Sequence, residues 1–268
     1  MLLETSIVAQ GLPKPYNLEA ALECERAIKA EGAIPKTVGV LDGELKVGLS
    51  EAEIRRFAED GALKLSSRDL GWAIARRASG ATTVAATLRA ARLSGARFVA
   101  TGGIGGVHLG HPDDVSADLF ELAQTAAAVF CAGPKSILDI GLTLERLESL
   151  AVPVLGWHTD RLPAFYTRAT EYVIPRIDEA SALKATWETG SQGIVVAVPP
   201  PRELEDNAEL TAQALQAAEG LPGPDVTPRL LAKIAELSGG RSVELNVELV
   251  VNNAREAAKA AVEFFKKT

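Results

Sequence analysis

The chain has 268 residues, 47% hydrophobic and 24% charged, with a formal net charge of -7. That acidic balance argues against a nucleic-acid partner, which demands a basic patch, yet leaves room for a few local cations around a small anionic substrate. Two cysteines, Cys24 and Cys131, make neither a disulfide framework nor a zinc site, and no apolar run reaches the ~18 residues of a membrane span.

From the N-terminus, "MLLETSIVAQG" lacks the basic region and long apolar core of a secretion signal, and "ETSIVA" reads as a strand. A soluble cytoplasmic protein without a membrane partner is expected. "NLEAALECERAIKAEG" is a helix running from Asn17 as N-cap to Gly32. "IPKTVGVLDGELKVGL" holds Asp42-Gly43 between two strand-like halves, a hairpin signal. "SEAEIRRFAEDG" opens on a capping box, Ser50 to Glu53, and closes on Gly61. "ARFVAT", "AAVFCA", "VPVLGW" and "GIVVAV" are continuously apolar, and each is followed by a loop and a helical pattern. Strands without a polar face belong in a sheet buried on both sides. The expected fold is therefore α/β, three layers (α/β/α) around a largely parallel central sheet, in one domain over residues 1–268. Near the C-terminus "TPRLLAKIAELSGG" has Thr227 as cap and Pro228 at the first helical position, and a last helix starts around "SVELNVELV".

Ligands of open α/β sheets bind at the carboxyl ends of the strands, and four polar clusters fall there. They are Glu4, "LKLSSRD" (63–69), "ATGGIGGVHLGHPDDVSAD" (100–118) and "CAGPKSILD" (131–139). The glycine-rich loop fails the dinucleotide fingerprint, since His108 stands where the third glycine is required. It is either a tight turn that permits close backbone approach or a ligand loop, and Asp113, Asp114, Ser116 and Asp118 follow it. The acidic run can hold a divalent cation through oxygen ligands, or simply cap the helix "SADLFELAQ". His108, His111 and His158 have no zinc-type spacing and read as structural or solvent-facing.

Lys135 interrupts an otherwise uncharged run, "AAAVFCAGPKSIL". A buried lysine without a partner loses its proton, so the residue either snorkels to solvent or serves chemistry. Gly133-Pro134 reads as a turn, and Ser136 to Asp139 as a capping box for "ILDIGLTLERLESL". On that reading Lys135 lies just outside a helix N-terminus, where dipole and desolvation both favour the nucleophilic amine.

The segments "LETSIVAQGLPKPYNLEAALECE", "ATGGIGGVH", "SADLFELA", "CAGPKSILDIGLTLERLE", "PAFYTR", "TPRLLAKIAELSGG" and "NVELVVNNA" resemble, in order and spacing, the pseudouridine-5′-phosphate glycosidase family, also called indigoidine synthase A-like. The resemblance runs from residue 3 to the final helix. It implies an α/β/α homotrimer that uses a divalent cation, typically Mn²⁺. The implied reaction is the reversible conversion of pseudouridine 5′-phosphate and water into ribose 5-phosphate and uracil. The family's nucleophilic lysine falls on Lys135 and its acid/base glutamate on Glu4. Its substrate contacts fall on Lys64, on Thr82, Thr83 and Val84, on Ser116, Ala117 and Asp118, and on Asn246, and its metal aspartate on Asp114. Arg68 would join Lys64 at the phosphate. The chain departs from the family pattern at Gln10, Ser67 and Leu109, and the loop before Asp114 is shorter. A lyase joining the sugar phosphate to a different base, or a silent accessory binding protein, are the alternatives.

Overall fold

The computed structural model describes residues 1–60, 62–190, 192–217 and 226–266. The chain begins with β1 (Leu2–Leu3), a π-helical turn (Ile7–Gly11), α1 (Tyr16–Ala30), β2 (Lys36–Leu41) and β3 (Glu44–Val47). There follow α2 (Glu51–Glu59), β4 (Leu63–Leu65), a short 3-10 turn (Ser67–Asp69), α3 (Leu70–Ala75), β5 (Gly80–Thr82), α4 (Val84–Ser94) and β6 (Phe98–Ala100). The middle holds β7 (Val107–His108), β8 (His111–Val115), α5 (Ala117–Leu122), β9 (Ala128–Cys131), β10 (Leu138–Asp139) and α6 (Ile140–Ser149). The chain closes with β11 (Val154–Trp157), β12 (Arg176–Ile177), α7 (Ser181–Glu188), β13 (Ile194–Ala197), α8 (Asn207–Ala217), α9 (Val226–Leu237) and α10 (Arg241–Phe265).

The strands assemble in the order β12-β11-β13-β9-β6-β1-β2-β5-β4, with β3 paired to β2. Pairing is parallel from β12 through to β2, and β2 is antiparallel to both β3 and β5. A small second sheet, β10-β7-β8, stands apart from it. Successive strand side chains point to opposite faces, so the apolar runs divide between two cores. Phe98, Phe130 and Val196 pack with Leu245, Leu249 and Ala254 of α10 on one side. Val99, Val129 and Val195 pack with Leu88 of α4 and with Leu119 and Leu122 of α5 on the other. Each such side chain contributes about 1.5–3 kcal/mol by leaving water, which is why strands without a polar face settle between two helical layers. The expected α/β/α arrangement is the observed one.

Local expectations fare unevenly. The hairpin turns at Asp42 (φ 53°) and Gly43 (φ 84°), both left-handed as a tight two-residue turn requires. The Ser50–Glu53 capping box is present, whereas Gly61 lies outside the described residues. "ETSIVA" is not a strand: pairing stops at Leu3. The Thr5 hydroxyl donates to the Val38 carbonyl, and the Thr5 carbonyl accepts from Val8 and Ala9, so the backbone curls into the π-helical turn. Asn17 is not a cap either. It is buried inside α1, and its amide nitrogen donates to the carbonyls of Val8 (2.8 Å) and Ala58 (3.2 Å), tying three segments together. Gly32 follows the helix at φ 86°, as expected. α9 already opens at Val226, and the side chains of Thr227 and Pro228 lie outside the described residues.

Candidate active site

Parallel strands deliver their carboxyl ends to one edge of the sheet, and the chain leaves β1, β6 and β9 there as irregular segments. Together with the π-helical turn, β4, α9 and α10, these segments enclose a cavity of about 60 Å³. Its lining includes Glu4, Ser6, Gln10, Lys64, Thr101 and Lys135, with Gly102, Gly103, Phe165, Leu231 and Asn246 completing the wall.

Glu4 is the first residue beyond β1 and is only 9% exposed. One carboxyl oxygen accepts from the Ser6 hydroxyl and the other from the Thr101 hydroxyl. Burial pushes this carboxyl above the ordinary carboxylate range, and the positive charge of Lys135 and the two hydroxyls only partly offset that push. The result is a carboxylic acid that keeps its proton at higher pH than a surface glutamate would. Thr101 is itself held from behind. The amide of Asn253, fully buried in α10, donates to the carbonyls of Thr101 (2.8 Å) and Gly102 (3.1 Å).

Lys135 is half-buried, with its N–H on the Ile104 carbonyl at 3.1 Å. The expected capping box does not form around it. Leu138 and Asp139 are drawn into β10 by antiparallel pairing with β7, and α6 begins only at Ile140. Asp139 alone caps that helix, accepting the Leu142 N–H at 2.9 Å, while Ser136 Oγ has no hydrogen-bond partner among the described residues. Lys135 therefore lies several residues upstream of the helix, and its setting is the cavity and Glu4 rather than a helix dipole. On the facing wall, Phe165 adopts φ 57°, which for a bulky residue costs about 1–3 kcal/mol.

Of the other residues singled out in the sequence, Lys64 and Asn246 reach the cavity. Asn246 is buried, and its amide oxygen is without a hydrogen-bond partner among the described residues. The rest frame the site from outside its lining. Thr83 caps α4, accepting the Ala86 N–H, and Val84 is buried in the core. Ser116 caps α5, which opens at Ala117. Asp118 is buried, and its two oxygens accept from Ala85 and Gly105 N–H groups, each at 2.8 Å, joining α4 to the glycine-rich loop. Arg68 is exposed beside Asp69. Asp114 lies on β8 with its side chain 59% exposed and Oδ2 3.1 Å from His108 Nδ1. Among the described residues no three His, Cys, Asp or Glu side chains converge as a metal cage. A hard cation held by one carboxylate and water molecules fits this donor set, and a protein-only cage does not. The thiols of Cys24 and Cys131 are pushed up to about 12 by burial, matching inert core cysteines.

The family described as indigoidine synthase A-like protein matches residues 1–263. The chain belongs to this family. It is 45% identical over 280 residues to the pseudouridine-5′-phosphate glycosidase of Clostridium botulinum, covering 98% of this chain and 91% of the relative. The protein of that name from Escherichia coli K12 is 44% identical, with 98% and 89% covered. In three dimensions the chain resembles the indigoidine synthase A-like protein of Thermotoga maritima, with a TM-score of 0.92 at 32% identity, over 98% of this chain and 91% of the other. It also resembles the prealnumycin C-glycosynthase AlnA in complex with ribulose 5-phosphate, with a TM-score of 0.89 at 35% identity and 98% and 90% covered.

The sequence reading of this family member missed Thr101, Asn253 and Phe165. A signal existed for Asn253: it stands seven residues after Asn246 in "NVELVVNNA", on the same face of α10, where an apolar residue would serve the core. Thr101 carried none, because a hydroxyl beside a strand end is ordinary until the fold shows which carboxylate it meets.

Proposed function

We propose that this protein interconverts pseudouridine 5′-phosphate and water with ribose 5-phosphate and uracil. The observation that carries the reading is the buried Glu4 carboxyl, pushed by burial above the ordinary carboxylate range, in the same cavity as the amine of Lys135. The names of its full-length relatives support the substrate.

Ordinary glycosidases work on a leaving oxygen with two carboxyl groups. A carbon–carbon glycosidic bond has no leaving oxygen to protonate, so an electron donor has to be placed on C1′ of the sugar to expel the base. Lys135, in its amine form, attacks C1′; the ring C1′–O4′ bond breaks and O4′ takes a proton from Glu4. C1′ then carries a secondary amine, and the proton released by the attacking nitrogen returns to Glu4. C5 of the base takes up a proton from Glu4, and the nitrogen lone pair forms an iminium at C1′ as the C1′–C5 bond breaks with its electron pair staying on the departing uracil. Water hydrolyses the remaining imine, freeing ribose 5-phosphate and Lys135. Lys64 supplies positive charge for the phosphate, and the Asn246 amide oxygen is an acceptor for a substrate donor. Thr83, Val84, Ser116, Ala117 and Asp118 hold the walls on which these groups stand. A divalent cation, Mn²⁺ by the family resemblance, would be held by Asp114 and would neutralise charge on the sugar phosphate. Assembly as a homotrimer in the cytoplasm belongs to the same proposal.

Incubation with ribose 5-phosphate and borohydride, followed by peptide mass spectrometry, tests the reading. A reduced ribose phosphate adduct on Lys135 is expected, and added uracil should yield pseudouridine 5′-phosphate. An adduct without uracil incorporation would favour another base, in keeping with the structural likeness to a C-glycosynthase. No adduct under conditions where the sugar phosphate binds would leave a binding protein.

A further inference from the structure

The Ser6 hydroxyl has no duty in the turn that it opens. Thr83 and Ser116 stand at the starts of α4 and α5, and each accepts a backbone N–H of its own helix, as caps do. Ser6 stands at the start of the π-helical turn and makes no such bond. The neighbouring Thr5 hydroxyl is wholly buried and ties the turn to the Val38 carbonyl. Ser6 is part-exposed on the cavity wall and gives its hydroxyl proton to Glu4 instead. Of two consecutive hydroxyls, one holds the fold and the other is left to the acid.

Both oxygens of Glu4 thus accept from a hydroxyl, which is the bonding of a carboxylate. The acid that the proposed function needs carries a proton of its own, and that proton has to point somewhere. An ionised carboxyl only accepts and a protonated one also donates, so one of the two hydroxyl bonds reverses when Glu4 is protonated. A reversed Thr101 would turn its own proton into protein. Thr101 is only 2% exposed, and its hydroxyl has no second acceptor among the described residues. A buried donor left without an acceptor is costly. A reversed Ser6 turns its proton toward the cavity, where sugar and base stand. We propose that Ser6 is the group that touches the substrate and relays the Glu4 proton to it, an inference that rests on the function proposed above. In ring opening the Ser6 O–H proton passes to O4′ while Oγ takes up the proton of Glu4, leaving a carboxylate. The proton released by the attacking nitrogen reloads Glu4 by the same two transfers in reverse. In carbon–carbon cleavage the relay delivers its proton to C5. O4′ and C5 are both bonded to C1′, so one relay atom serves both steps.

Single-turnover cleavage of pseudouridine 5′-phosphate with Mn²⁺, and with enzyme in excess so that product release does not enter, tests the relay. In the wild type, rates measured across mixtures of H₂O and D₂O should bow below a straight line, because two protons move in one step. That measurement does not depend on any variant folding. Ser6→Ala should lower the rate roughly 10²-fold or more, and Ser6→Thr, which keeps the hydroxyl, should recover it to within about tenfold of the wild type. The borohydride-trapped adduct of ribose 5-phosphate on Lys135 reads the imine at equilibrium, so its yield in Ser6→Ala should match that of the wild type. A straight line in the wild type, sloping or flat, would mean direct donation by Glu4 and overturn the relay. Activity retained in Ser6→Ala, equal losses in Ser6→Ala and Ser6→Thr, or a parallel loss of the adduct would each overturn it too and leave Ser6 a structural residue. A wild-type protein that forms no adduct and cleaves no pseudouridine 5′-phosphate would instead sink the function on which the relay rests.

Discussion

Glu4 and Asp114 are carboxylates of the same family resemblance placed in opposite surroundings. Glu4 sits behind β1 at 9% exposure, met by the hydroxyls of Ser6 and Thr101, the latter residue held at its backbone carbonyl by Asn253. Asp114 stands on the β7–β8 hairpin with its side chain 59% exposed, beside one histidine. Where the protein surrounds a carboxyl it shifts its proton affinity, and where water surrounds it the carboxyl is left open to whatever arrives. The first arrangement suits an acid and the second a loosely held cation.

The largest effect belongs to the enclosed group. Glu4→Gln removes the proton donor and should lower kcat by roughly 10²–10⁴-fold in steady-state assays. The same change should stabilise the fold at alkaline pH. Glu4 has a folded-state pKa raised above its unfolded value, so below the unfolded value near 4.5 both states are neutral and nothing is lost. As pH rises through the folded value the unfolded chain holds fewer protons than the native one, and stability falls. Thermal melts at pH 5 and pH 9 should thus show a pH-dependent loss in the wild type that is smaller in Glu4→Gln. Equal pH dependence in the two proteins would mean that burial does not govern this carboxyl.

One step behind, Asn253→Ala takes a donor from the Thr101 and Gly102 carbonyls, of which Gly102 keeps the Ala132 N–H, and should cost about 1–3 kcal/mol, read from urea unfolding. It should also lower kcat while the Lys135 adduct still forms, because Thr101 loses its fixed position. The smallest structural effect is at the hairpin. Asp114→Asn should change stability by no more than about 0.5 kcal/mol, as exposed substitutions do. Its expected consequence is a higher Mn²⁺ concentration for half-maximal activity. An unchanged metal dependence would remove Asp114 from the cation site, and a large loss of stability would show the hairpin to be less independent of the core than its exposure implies.

The legible parts of this protein are those whose physics is local or periodic. "ARFVAT", "AAVFCA", "VPVLGW" and "GIVVAV" became β6, β9, β11 and β13 because strands with no polar face have one kind of home. Asp42-Gly43 became the hairpin turn because few residue pairs accept two left-handed positions. The failures share a cause. Asn17, Ser136 and the stretch after Leu3 all looked like local signals, yet each answers to a distant partner or the lack of one. Asn17 bonds Val8 and Ala58, β10 is pulled straight by β7, and Thr5 turns to Val38.

The order of apolar runs, caps and turns by itself determined the layered α/β/α frame, and motif order placed the chain in its family and singled out Glu4, Lys64, Lys135 and Asn246. Only the tertiary structure decided that these four share one cavity, that Asp118 is committed to backbone N–H groups, and that Thr101, Asn253 and Phe165 complete the site. The reason is distance along the chain. Glu4 and Thr101 are separated by 97 positions and Thr101 and Asn253 by 152, and no periodicity or propensity reaches that far. What brings them together is the pairing of β1 with β6 and the packing of α10 beneath them, and these exist only once the sheet has formed.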